Sequence, residues 1–121
     1  MNTDIDKLQT QQFKVEWQLP VALQLDPDLN DEESEEMGET FYGDNLVVKI
    51  SVLNHVFEVA RRFLICSTKD SIKVHPEEGW HWNEHGDLTV LEQDLFEFII
   101  KKCPECFIPP EAFKEKLKSM L

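Results

Sequence analysis

Residues 45–66 read NLVVKISVLNHVFEVARRFLIC, and the parsing of this stretch decides the fold. Within Asn45–Leu53, the residues Leu46, Val48, Ile50 and Val52 fall on one face, and Val47, Lys49, Ser51 and Leu53 fall on the other. That is the two-residue period of a strand. Asn54-His55 is the expected turn. Val56–Cys66 reads two ways. As a strand it gathers Phe57, Val59, Phe63 and Ile65, with Arg61 interrupting; as a helix it gathers Val56, Val59, Ala60, Phe63 and Leu64. Its β-branched and aromatic content, and its short link to the preceding strand, favour a hairpin.

Toward the N-terminus, Phe13–Asp26 reads FKVEWQLPVALQLD. Phe13, Val15 and Trp17 alternate, then Val21, Leu23 and Leu25, which predicts half-buried strand on both sides of Pro20. Pro20 lacks a ladder donor and predicts a bend, a bulge or an edge position. Toward the C-terminus, Ser71–His75 (SIKVH) is a short strand ending at Pro76. Glu77–Gly86 is irregular, with Gly79 and Gly86 flanking Trp80 and Trp82. A helix starts near Thr89, because Thr89 and Glu92 have the spacing of a capping box. Its apolar stripe is Leu91, Leu95, Phe98 and Ile99 with Lys102, and Cys103-Pro104 stops or kinks it. Pro109-Pro110 opens a last amphipathic helix, Glu111–Leu121, with Phe113, Leu117, Met120 and Leu121 as its stripe.

The expected architecture is α+β: an antiparallel sheet of about four strands followed by two C-terminal helices. Residues 1–121 form one domain, with a flexible start (1–12), a mostly β part (13–75) that includes an acidic loop (27–40), and a helical part (89–121). A chain of 121 residues, 41% of them hydrophobic, is large enough for one core and not for two.

The net charge of −12 is unevenly spread. Residues 1–39 carry 11 acids against two lysines, and residues 40–121 carry 13 acids against 10 bases. Eight of the acids (Asp26, Asp28, Asp31, Glu32, Glu33, Glu35, Glu36 and Glu39) fall in one stretch without a base. Such a field repels nucleic acid and anionic membranes and draws basic partners inward; the competing reading is a solvated, flexible loop that only aids solubility. The four glycines form no phosphate-cradling pattern, which argues against nucleotide binding. No run approaches the roughly 20 apolar residues of a membrane helix. The start, MNTDID, lacks the basic and apolar regions of a signal peptide, and three cysteines form no regular framework. A cytoplasmic location is expected.

Candidate chemistry is sparse. His81, His85, Cys103 and Cys106 are the one set with a zinc-like donor combination. Against zinc, Cys103 falls at a helix end, the histidines lie in an irregular segment and no glycine follows Cys106 to ease a knuckle turn; the competing reading is two buried thiols and two surface histidines. Redox chemistry at Cys103-x2-Cys106 is also disfavoured, because Cys103 falls at a helix C-terminus, where the dipole raises a thiol pKa. His55, His75, His81, His85 and Cys66 have no context that supplies a base or an oxyanion hole. No catalytic residue, cofactor or resident metal is expected. Trp80 and Trp82 are either anchors reaching into the sheet or an exposed apolar surface for a partner; Trp17 fits the core face of the first strand.

Two motifs carry a resemblance. Phe13-x3-Trp17-Gln18-x2-Val21-x-Leu23-x-Leu25-Asp26 resembles the strand that enters the polar loop in SecB-like chaperones. Cys103-Pro104-x2-Phe107-Ile108-Pro109 is similar to the kinked segment of that family's helical region. Together they span residues 13–110 loosely, and Trp17, Val21, Leu23 and Leu25 match the sheet positions, with Asp26 opening the acidic side. The chain departs from the family in three places. Twelve residues leave no room for its extra N-terminal strand, the glycine-isoleucine-phenylalanine-type stretch ending its last strand is absent, and the helix after the kink shortens to Glu111–Leu121. That helical region supports subunit pairing in the family, so tetrameric assembly is not carried over, although an oligomer is compatible with the sequence. The resemblance implies a non-enzymatic protein that holds other polypeptides through an apolar sheet face, with acidic surface for basic partners. The alternative is a small acidic inhibitor, such as an immunity protein against a basic nuclease toxin. In either case the partner is another protein, basic or unfolded. The candidate contact residues are Glu32, Glu33, Glu35, Glu36, Trp80 and Trp82.

Overall fold

The computed structural model describes residues 12–82 and 88–121. The flexible start expected over 1–12 lies outside the described residues, apart from Gln12.

The deciding stretch is a hairpin. Strands β2 (Thr40–Val52) and β3 (His55–Ser67) pair antiparallel over their whole length, in the register Thr40↔Ser67 to Val52↔His55. The turn therefore falls at Leu53-Asn54, one residue earlier than Asn54-His55. Val56–Cys66 is strand, because that register aligns Ile50 with Phe57 and Val48 with Val59 on one face, and burial of both rows outweighs any local helical preference. β2 also starts five residues before Asn45, at Thr40.

Strand β1 (Phe13–Gln18) pairs with the C-terminal half of β2, Phe13 opposite Val52 and Trp17 opposite Val48. The second half of the predicted N-terminal strand is not regular. After Gln18 the chain leaves the sheet around Pro20, Val21 is fully exposed, and Leu25 is mostly exposed. Pro20 cannot donate to the ladder, which is the physical reason for the break. The chain returns to the edge of β2 further on, where the Gly43 amide donates to the Gln24 carbonyl (2.9 Å) and the Asp26 amide to the Phe41 carbonyl (3.0 Å), with Leu25 bridged to Tyr42. Leu23, just before these contacts, is half-buried against the cluster that holds Leu46 and Phe63.

The other edge has the same construction. Strand β4 (Ile72–Pro76) pairs with the end of β3, and a two-residue strand β5 (His81–Trp82) pairs with Val59 and Ala60 further along the same edge. The sheet is antiparallel, with the order β1-β2-β3-β4 and β5 also on β3.

Helix α1 (Glu32–Glu36) lies in the loop before β2. Helix α2 (Val90–Lys102) starts with the Thr89–Glu92 capping box: the Glu92 amide donates to Thr89 Oγ1 (3.2 Å) and the Thr89 amide to Glu92 Oε1 (3.0 Å). Its buried residues are Leu95, Phe96 and Ile99; Phe98 is half-buried and Lys102 exposed, so the inner stripe lies closer to Phe96 than the expected one. Cys103 ends it, a 3-10 turn covers Pro104–Phe107, and α3 spans Glu111–Ser119. α3 buries Phe113 and Leu117 and leaves Met120 and Leu121 exposed.

These helices cover one face of the sheet. At one end Phe13, Val48, Ile50, Val52, Phe57 and Val59 pack on α2 and the 3-10 turn. At the other end Leu46, Phe63 and Ile65 pack on Phe113 and Leu117 of α3. Trp17 touches both clusters. The result is an α+β fold: a curled antiparallel sheet with two C-terminal helices on one side. No helix among the described residues is long and apolar enough to cross a membrane.

Candidate functional site

The acidic stretch is built rather than loose. Asp26 Oδ1 accepts from the amides of Asp28 (3.0 Å) and Leu29 (3.3 Å), closing a turn on itself. Asn30 then clamps the loop to the sheet. Its Nδ2 donates to the carbonyls of Asp26 (2.7 Å) and Phe41 (2.8 Å), and its Oδ1 accepts from the Phe41 amide (2.9 Å). Asp31 caps α1: its Oδ1 accepts from the Ser34 amide (2.9 Å), and the Asp31 amide donates to Ser34 Oγ (2.9 Å). Ser34 is the one buried polar residue among those described. Just past the helix Gly38 takes a φ of +71°, which favours glycine, and the Glu39 amide donates back to the Ser34 carbonyl (2.9 Å).

This scaffold sets Glu32, Glu33, Glu35 and Glu36 on the outside of α1, all exposed. Apolar side chains sit among them. Leu29, Met37 and Phe41 line a cleft of about 300 Å³ with Asp31, Glu33, Ser34 and Glu39. Leu25 lines a second, of about 230 Å³, with Asn30, Glu35 and Glu39. Met37 is 70% exposed and Leu25 61%. The three carboxylates in the first turn of α1 lie at the end where a helix favours negative charge. Solvated carboxylates thus surround a small exposed apolar centre.

Trp80 lies elsewhere. It is half-buried in an aromatic cluster, its ring edge-on to Trp17 (6.0 Å), Phe63 (6.4 Å), Phe96 (6.2 Å) and Phe107 (5.6 Å). The Arg61 guanidinium stands over the rings of Trp80 (5.8 Å) and Phe63 (5.9 Å), and its Nε donates to the Glu78 carbonyl. That is how an arginine is accommodated on the inner face of β3: a cation–π contact and a backbone acceptor partly replace water. Trp80 is thus an anchor of the bulge between β4 and β5. The backbone of Trp82 pairs with Val59. Trp80 and the α1 glutamates do not form one site.

The zinc-like set is not assembled. Cys103 and Cys106 are joined to each other by a disulfide, His81 Nε2 lies 3.2 Å from Asn45 Oδ1, and His85 falls outside the described residues. Among the described residues no group of three or more His, Cys, Asp or Glu side chains is placed to hold a metal ion. His55 flanks the hairpin turn, His75 is exposed on β4, and Cys66 lies on the sheet face away from the helices. Cys66 Sγ is 3.6 Å from Glu39 Oε2; burial pushes its thiol pKa up, and the Glu39 charge and hydrogen bond add to that.

Sequence reading missed α1, the Asn30 clamp and the apolar centre at Leu29 and Met37. The signal for α1 was present, since Asp31-x2-Ser34 has capping spacing, but the density of glutamates around it read as loop. Fold and surface together define a class: an α+β protein with one helix-covered sheet face and an ordered acidic projection. No family model matches the chain, nor does any curated protein or solved structure.

Proposed function

We propose that this is a cytoplasmic, non-enzymatic protein-binding module that docks a basic protein on its acidic loop. The observation that carries the reading is the pre-ordered α1 segment. Asn30, Asp26 and Asp31 hold four outward glutamates around the exposed side chains of Leu25, Leu29 and Met37. Loop ordering has then been met within the fold instead of at the moment of binding. Carboxylates at the rim speed encounter with a cationic surface and reject anionic ones such as nucleic acid. This supports the acidic-inhibitor form of the reading, in which the partner is a basic enzyme such as a nuclease toxin.

Affinity capture from the native host at low and high salt tests it. One folded basic protein, retained at low salt and released at high salt, is the expected result. A retained set of neutral or acidic proteins, indifferent to salt, would overturn it.

The chaperone-like reading that follows from the SecB-like resemblance needs a different surface, because the helices occupy the apolar sheet face. One observation favours it: beside edge strand β1, Val15, Trp17 and Leu19 line a groove of about 430 Å³ with Pro110 and Phe113. An extended client segment along that edge would add a strand to the sheet. Suppression of client aggregation at stoichiometric amounts is expected on this reading, and normal aggregation ends it.

A further inference from the structure

Cys103 and Cys106 take no part in the acidic surface, and the fold holds them in an arrangement suited to thiol chemistry. Cys103 caps the C-terminal end of α2 and is 7% exposed. Cys106 follows one 3-10 turn later and is half-buried. Both border an open cleft of about 220 Å³ whose other wall is Phe13, Val15 and Trp17 of β1. The sulfurs form a disulfide across a Cα separation of 5.5 Å.

That bond is one of several contacts at the turn. The Cys106 amide donates to the Cys103 carbonyl (3.1 Å), and the Trp17 indole Nε1 donates to the Cys106 carbonyl (3.0 Å). Phe107 is buried against Phe96 (5.5 Å between centroids), and Pro104 restricts the backbone at the start of the turn. The turn is therefore held by backbone and aromatic contacts in addition to the bond between the sulfurs.

We propose that Cys103 and Cys106 form a reversible dithiol–disulfide couple that exchanges with low-molecular-weight thiols of the glutathione class, with Cys106 as the attacked sulfur. A thiolate entering the cleft attacks Cys106 Sγ. The bond to Cys103 breaks, and the electron pair leaves on Cys103 Sγ, which takes up a proton. A second thiolate attacks the small-molecule sulfur of the mixed disulfide and frees Cys106, which is protonated in turn. Two small thiols are oxidised to one disulfide, and the protein disulfide is reduced to two thiols. Attack falls on Cys106 because it is the more exposed of the two sulfurs, Cys103 being buried. The negative end of the α2 dipole faces Cys103 and does not stabilise its thiolate, so the pair responds to the thiol pool without the rapid turnover of an oxidoreductase.

The test uses Cys66→Ser protein, which removes the third thiol, equilibrated in mixtures of reduced and oxidised glutathione, then acid-quenched and alkylated for mass analysis. A single transition from zero to two alkylated thiols is expected, with circular dichroism unchanged. Tryptophan fluorescence should move in step, since Trp17 lines the same cleft as both sulfurs and a disulfide quenches a nearby indole more strongly than a thiol does. In the same background Cys103→Ser should take up glutathione on Cys106 about tenfold faster than Cys106→Ser takes it up on Cys103. Two free thiols at every mixture, including excess oxidised glutathione, would overturn the couple. Reduction that occurs only with loss of the fold would make the bond a structural staple instead. Equal uptake by the two single-cysteine variants would overturn the assignment of Cys106. If Cys66→Ser does not fold, the wild type carries the same test as a transition from one thiol to three.

Discussion

Leu53 opens the two-residue turn between β2 and β3 with φ of +55°, in the left-handed region. That conformation costs a non-glycine residue roughly 1–2 kcal/mol, and glycine adopts it freely. The side chain is mostly exposed, so little packing is lost on its removal. Leu53→Gly should raise stability by about 0.5 kcal/mol in urea unfolding, after the added unfolded-state entropy of glycine is set against the relieved strain. A second residue-scale prediction concerns Cys66. Its thiol pKa is raised by burial first and by Glu39 next, so at a given pH less thiolate is present than in a free cysteine. Glu39→Gln removes the charge, lowers that pKa and should quicken alkylation of Cys66 at constant pH; an unchanged rate would mean that Glu39 does not act on it. Neither effect was legible in the sequence. Asn54-His55 looked like the turn because asparagine suits turns, but the cross-strand match of Ile50 with Phe57 set the register, and register moved the turn onto Leu53.

Elements were easier to read where one face is buried, and harder where hydrogen bonds decide. β2 and β4 carry a two-residue apolar period, and their strand character follows from it; Val56–Cys66 fits strand and helix alike in sequence, and its pairing with β2 decides it. The start of α2 was equally plain, because Thr89 and Glu92 stand out from their neighbours. The interval Leu19–Glu39 was not: its order depends on the side chains of Asp26, Asn30 and Asp31 reaching specific backbone groups, and composition does not encode such geometry. This gives a direct prediction. Asn30→Ala removes all three bonds between its amide and the backbone of Asp26 and Phe41. The loop should lose about 1–3 kcal/mol of local stability, read as faster hydrogen exchange at the Phe41 amide, whose acceptor is gone, with the β2–β3 ladder still protected. Equal protection of Phe41 in the variant would show that Asn30 is not the clamp. The face of α2 was read only roughly. The aromatic contacts of Phe96 with Trp80 and Phe107 draw it inward, and Lys102 instead lies over the ring of Phe98 at 5.5 Å.

At the scale of the molecule, the helices and the charge divide the surface. α2, the 3-10 turn and α3 occupy the apolar side of the sheet, so its hydrophobic rows form a core and not a binding face. The sequence showed those rows and could not show what covers them, because the covering depends on how the Cys103-Pro104 stop folds the chain back. The acidic charge remains outside, held on α1 around Leu29 and Met37. The proposed docking of a basic protein puts its contact on this projection. Neutralising it by Glu32→Gln, Glu33→Gln, Glu35→Gln and Glu36→Gln together leaves the Asp31–Ser34 cap and the Asn30 clamp in place, so the fold should persist by circular dichroism. The decisive measurement is quantitative capture from the native host at low salt with wild-type and quadruple-variant protein side by side. A basic partner retained by the wild type should be lost from the folded variant; equal retention of the same partner by both would overturn the acidic docking surface.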